Sequence, residues 1–230
     1  MLRFSKKILP TITTTRGSDW KTKIEEVNKL KLKEVAVFLT CLEKKERKEL
    51  YKLLEKSKIS SIPFLHLRSD MSLEELDYFV KNYKTKVFNT HPQKEYPLIY
   101  DWTKYKNIIY IENVYHFPDE KELKNFAGIC LDFTHLENDR LLNKKKFENN
   151  KSLIEKYPIG CNHISAIKKT IHIDKENNKR YDSHYLENLS ELNYLKKYPL
   201  NYFSRFIAIE LENSIKEQLI IKAHLINLIK

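Results

Sequence analysis

The sequence predicts an α/β chain folded as a (β/α)8, or TIM, barrel. Three observations predict it. Short apolar segments alternate with longer amphipathic ones along the whole chain, the pattern of parallel strands joined by right-handed crossovers. Eight such units in 230 residues give about 29 residues each, the spacing of a slightly compact barrel. The only glycines are Gly17, Gly128 and Gly160, and no Gly-x-Gly-x-x-Gly follows a strand. A doubly wound sheet built to hold a nucleotide is therefore disfavoured. No linker, low-complexity tract or repeat interrupts residues 1–230, so a single domain is expected. A chain of this size forms a core without disulfide or metal staples.

Taken in order, Phe4–Thr11 is the weakest strand candidate. The helix expected over Lys21–Lys31 has Ile24, Val27 and Leu30 at helical spacing, and leads to or from EVAVFLT at Glu34–Thr40. Lys44–Lys56, with Leu50, Leu53 and Leu54, precedes SIPFLHL at Ser61–Leu67. Met71-Ser72 opens a capped helix whose Leu73, Leu76, Phe79 and Val80 share a face. The next strands are KVFNTH (Lys86–His91), NIIYIEN (Asn107–Asn113) and GICLDFTH (Gly128–His135), and the aromatic stretch between the first two stays unassigned. Helical patterns at Ser152–Tyr157, Ser190–Tyr198 and Ser214–Ile229 flank the last two strands, Ile159–Ile164 and Arg205–Glu212.

Composition narrows the function classes. A hydrophobic content of 41% with 7 Pro excludes disordered and collagen-like chains. No apolar run of about 18 residues exists and the N-terminal stretch has no signal-peptide core, so a cytoplasmic protein away from membranes is expected. No protein partner is implied. Cys41, Cys130 and Cys161 are sparse and lack a Cys-x-x-Cys pair, so reduced thiols packed in a core are expected. The net charge of +11 comes mostly from lysine, since only seven of the 42 basic residues are Arg. Charge of that kind is weak support for an anionic partner.

The placement of metal-competent side chains says more. Strand C-terminal ends carry His66, His91, Glu112, Asp132 with His135, His163 and Glu210, and Asp182-x-His184 lies in the loop after the seventh strand. That is nearly one polar residue per β/α unit, and in a barrel these ends converge on one mouth. So many carboxylates and imidazoles together need compensation, for which divalent cations are the usual source. His116, His172 and His224 fall elsewhere and are expected to face solvent.

The motifs PFLH, FNTHP, IEN, CLDFTH, NH, DSHYLENL and IAIE across residues 60 to 212 resemble the xylose-isomerase-like superfamily of TIM barrels, most closely its endonuclease IV branch of DNA-repair enzymes. Glu112, Asp132, His163 and Glu210 are shared by isomerases and endonucleases of that superfamily. His66, His91 and Asp182-x-His184 resemble the trinuclear zinc endonucleases. The resemblance implies up to three Zn2+ ions, Mn2+ or Fe being alternatives. Glu112 would bridge two of them, the first completed by His66 and His91. Asp132, His163 and Glu210 would hold the second, and His135, Asp182 and His184 the third. It also departs from that branch: LRSDMS after His66 lacks the Tyr and Leu that those enzymes insert into DNA, and Pro-Gln-Lys follows His91 where a Gly-containing turn belongs.

Two functions are therefore expected to compete. One is a metal-dependent phosphodiesterase resembling the abasic-site endonucleases, its nucleic acid held by basic clusters in loops: Lys144-Lys145-Lys146, Lys168-Lys169 and Lys179-Arg180. The other is a sugar or sugar-phosphate isomerase with one metal, in which Glu112 and Glu210 act as the acid–base pair.

Overall fold

The computed structural model describes residues 6–114, 118–174 and 177–230. Its main sheet is entirely parallel and runs β1-β11-β8-β7-β6-β5-β4-β3-β2. These strands are β1 (Lys7–Leu9), β2 (Thr11–Ile12), β3 (Ala36–Phe38), β4 (Phe64–His66), β5 (Val87–Thr90), β6 (Ile109–Glu112), β7 (Ile129–Asp132), β8 (Ile159–Ile164) and β11 (Phe206–Ile209). β1 and β2 are two halves of one extended segment parted by Pro10, which has no N–H to give a ladder. One half pairs with β11 and the other with β3, and the Pro10 carbonyl still accepts from Ala36 N at 2.9 Å. The sheet thus closes on itself as eight strands. The architecture is a TIM barrel.

Period-two alternation divides the core. Leu9, Ala36, Phe38, Phe64, Val87, Cys130, Cys161, Phe206 and Ala208, drawn from seven strands, form one cluster that fills the barrel axis. Their neighbours Val35, Val37, Leu65, Phe88, Ile111, Ile129, Leu131 and Ile207 face outward in a larger cluster under the helices. Those helices are α1 (Trp20–Lys29), α2 (Lys44–Glu55), α3 (Leu73–Tyr83), α4 (Glu120–Asn125), α5 (Phe133–Leu142), α6 (Lys144–Lys156) and α7 (Ile215–Leu228). Local chemistry starts them: Asp19 accepts from Thr22 N, while Ser72 with Glu75 and Ser214 with Glu217 form capping boxes. No helix among the described residues is long and apolar enough to cross a membrane.

Several expectations need correcting. The strand expected to run to His135 stops at Asp132, whose side chain caps α5 by accepting from Thr134 N and His135 N. Lys144-Lys145-Lys146 form the first turn of α6, because Asn143 accepts from Lys146 N and starts that helix well before Ser152. Lys168 and Lys169 lie on β9 (Ala166–Ile173), which pairs antiparallel with β10 (Lys179–Ser183), a hairpin outside the barrel where a loop was expected. Leu189–Lys197 is a 3-10 segment rather than an α-helix. The unassigned aromatic stretch ends in a 3-10 turn over Thr103–Ile108, anchored by buried Trp102, whose indole donates to Met71 O at 2.9 Å.

Candidate metal centre

Strand parity assembles the site. The inward series run Phe64 to His66, Val87 through Asn89 to His91, Tyr110 to Glu112, Cys130 to Asp132, Cys161 to His163, and Ala208 to Glu210. Each begins in the apolar floor of the barrel and ends, at the strand's C-terminus, in a polar layer above it. The floor supports the layer directly: the Phe38 ring lies 5.1 Å from His66 and 4.6 Å from His163, and Phe64 stacks on His163 at 5.4 Å.

Glu112 is the hub. Its Oε2 lies 2.9 Å from His66 Nε2, 3.3 Å from His163 Nδ1 and 4.0 Å from His91 Nε2. His163 Nδ1 is 3.2 Å from Glu210 Oε2 and 3.9 Å from Asp132 Oδ2. Two ligand-competent sets result, His66–Glu112–His163 and Glu112–Asp132–His163–Glu210, each with its ligand atoms within 4.8 Å of one another. Both asparagines beside the cluster went unrecognised in the sequence. Asn89 Nδ2 donates to Glu112 Oε2 at 2.7 Å. Asn113 fixes Asp132 by donating to its carbonyl (2.9 Å) and accepting from its N–H (2.7 Å), as a strand neighbour would. Inward parity in VFNTH would have found Asn89.

The remaining three candidates sit to one side. His135 Nε2 is 4.0 Å from Asp132 Oδ2, and its Nδ1 is 3.5 Å from Asp182 Oδ2. His184 Nδ1 reaches within 3.9 Å of Glu210 Oε1. Asp182 lies on β10, not in a loop, and Arg180 engages it with both Nε (2.7 Å) and Nη2 while Nη2 also lies 3.0 Å from His135 Nδ1. Arg180 is therefore largely buried in this cluster, where it also lines the mouth. A cation at this third position would share Asp182 with the guanidinium.

The residues fit divalent cations on two grounds. Among the described residues, seven buried side-chain N or O atoms lack a hydrogen-bond partner, and five belong to His66, Asp132, His163 and Glu210. Orphaned polar atoms are rare in interiors, and their concentration here is what a cation-binding site would show. The electrostatics agree. Burial works to raise the Glu112 and Glu210 carboxyls, yet His163 beside both pulls Glu112 well below its usual range and Glu210 to about 2. Burial, with Glu210 and Glu112 adjacent, pushes Asp132 well up. Burial lowers His91 to about 4 and also lowers His135, which favours the neutral imidazole, the form that ligates metal. Three carboxylates thus compete for too little positive charge. Nitrogen and oxygen donors without thiolate suit zinc, manganese or iron.

The mouth above this layer is a cavity of about 810 Å³ whose lining includes His91, Glu112, His135, Asp182, His184 and Glu210. His172 also lines it, from β9, whereas His224 is half-buried on α7 and His116 lies outside the described residues. Cys130 and Cys161 are buried, but Cys41 is exposed at the mouth. No lysine among the described residues lines this cavity. Lys168 is held by Glu191 and Glu187, Lys146 by Asp139, and Lys144, Lys145, Lys169 and Lys179 are exposed elsewhere.

Among solved structures, one likeness covers 92% of this chain. It is to a xylose isomerase-like TIM barrel protein. That protein, from Mycobacterium smegmatis and in complex with magnesium, shares 11% identity over 89% of its own chain, with a TM-score of 0.39. At that level the likeness transfers no residue role. No protein-family model matches the chain, and no curated protein matches it in sequence.

Proposed function

We propose that the protein is a metal-dependent phosphodiesterase of the kind its motifs resemble, with Glu112 shared between two cations. The observation that carries this reading is the double membership of Glu112: one carboxylate faces His66 and His91 on one side and the Asp132–His163–Glu210 set on the other. An isomerase with one metal has no use for the first set. Cations bound here would supply Lewis-acid polarisation of a phosphoryl oxygen and acidify a water. The chain's own part is orientation. Asn113 and the α5 cap spend the backbone and Oδ1 of Asp132 on structure, leaving Oδ2 for the cluster. Arg180 neutralises Asp182 at the rim, so an anionic substrate approaches without facing a bare carboxylate.

The mouth favours small or single-stranded phosphodiesters over intact duplex, because the exposed lysines stand away from it and no wedge side chain follows His66. Metal analysis, combined with assays on bis(p-nitrophenyl) phosphate, an abasic oligonucleotide and a panel of sugars, each with and without chelator, tests the reading. At least two ions per chain and chelator-sensitive phosphodiester cleavage are expected. The sugar-isomerase reading draws on the compactness of the Glu112–Asp132–His163–Glu210 set and on the Arg180 clamp at the third position. One ion per chain with chelator-sensitive sugar turnover and no phosphodiester cleavage would replace the first reading by the second.

A further inference from the structure

We propose that Asn89 is a positioning residue that presets the Glu112 carboxylate for sharing between two cations; this rests on the reading of the cluster as a cation centre. Asn89 is fully buried on β5, in register with His66 on β4, and its Nδ2 donates to Glu112 Oε2 at 2.7 Å. The amide must present nitrogen to the carboxylate, because its oxygen would be repelled there. The other half of the amide is left over: Asn89 Oδ1 is buried with no hydrogen-bond partner. A buried amide satisfied on one side only is costlier than an aliphatic side chain of its size. Packing therefore does not account for an asparagine at this position, and the single bond to Glu112 does. The groups around Glu112 Oε2 also differ in kind. His66 and His163 bring imidazole nitrogens within 2.9 and 3.3 Å of that oxygen, nitrogens that would turn to cations. Asn89 offers a permanent N–H donor that holds the carboxylate whether or not a cation is present. Presetting a ligand in this way removes the ordering cost from the binding step.

The test compares wild-type protein with Asn89→Leu, which keeps the branching and the number of heavy atoms but loses the donor. Apo protein is titrated with Zn2+ against a chromogenic chelator, and thermal unfolding is followed in parallel. The expected result is a melting temperature at or above wild type together with cation binding weakened 10- to 100-fold. A packing role would leave affinity unchanged. Asn89→Ser, small enough to leave the strand undisturbed, serves as a second variant should leucine be rejected, and the same loss is expected. Full Zn2+ affinity in either folded variant overturns the proposal while leaving the metal-centre reading intact. A wild-type protein that binds no cation overturns both.

Discussion

On the proposed reading the Glu112 carboxylate is not replaceable by its amide, because the shape survives while the charge that would hold two cations does not. Glu112→Gln is therefore expected to keep the fold, lose most of its bound metal and lower turnover at least about 100-fold. Circular dichroism, metal analysis and kinetics on one preparation check this, and wild-type turnover with full metal content would contradict it. A second residue carries a pH signature. Lys23 is 3% exposed and donates to Thr13 Oγ1 and Leu211 O, both at 2.7 Å. Burial, only partly offset by Glu212 nearby, lowers it from 10.5 to about 8. Between these values the unfolded chain holds a proton that the folded chain has released, so stability rises with pH across that window, by up to about 3 kcal/mol. Denaturant titrations from pH 7.5 to 10 should show this gain in wild type but not in Lys23→Met; parallel curves would refute it. At this scale the inward-facing acids and histidines were legible, being conspicuous in apolar strands. Asn89 was not, since an asparagine advertises no chemistry until its parity is traced. The pairing of Arg180 with Asp182 was not legible either, since sequence cannot show a guanidinium folding back on a carboxylate two residues away.

Elements were legible where burial is periodic and obscure where a side chain ends them. The eight strands stand out as apolar runs, but GICLDFTH hides a change of structure at Asp132, whose Oδ1 serves α5 while Oδ2 turns to the cluster. The β9–β10 hairpin was missed because AIKKTIHI and KRYDS lie largely outside the barrel, where exposure blurs their pattern. A local fault in β8 is equally informative. The register with β7 slips between Ile129 and Cys130, so that the partner of the first is Ile159 and of the second Cys161, with Gly160 skipped. A Cβ on Gly160 would lie 2.0 Å from the Tyr110 ring. Gly160→Ala should cost about 1–3 kcal/mol by overpacking, and Tyr110→Leu should recover much of it. Urea unfolding of the single and double variants gives the coupling; strictly additive losses would show that Tyr110 is not what excludes the methyl group.

For the molecule as a whole, the barrel was foreseeable from spacing and the meeting of its strand ends followed from the barrel. What spacing could not supply was the distance of each side chain from its neighbours. With those distances a cation bound as proposed would be a stability term: a ligand that binds only the folded chain contributes about 2.7 kcal/mol when its free concentration is 100 times its Kd. At this chain length that corresponds to roughly 5–10 °C in Tm. Chelator should lower the Tm of the metal-loaded protein by about this amount and leave Glu112→Gln unmoved, as differential scanning fluorimetry would show. Equal chelator shifts in both would mean that the stabilising ion sits elsewhere.

The break at Pro10 also has a bearing on synthesis. Residues 7–9 find their partner in residues 206–208, some two hundred positions later, whereas residues 11–12 pair with nearby Ala36 and Val37. A chain emerging from the ribosome can lay down β2 through β8 as a growing open sheet, but β1 must wait for β11 before its edge is covered. Through that interval two parallel edges stay available to other chains. Closure is a long-range event that local propensity cannot hasten. Chains ending before Phe206 are thus expected to associate through those edges, and those reaching past Ile209 to escape it.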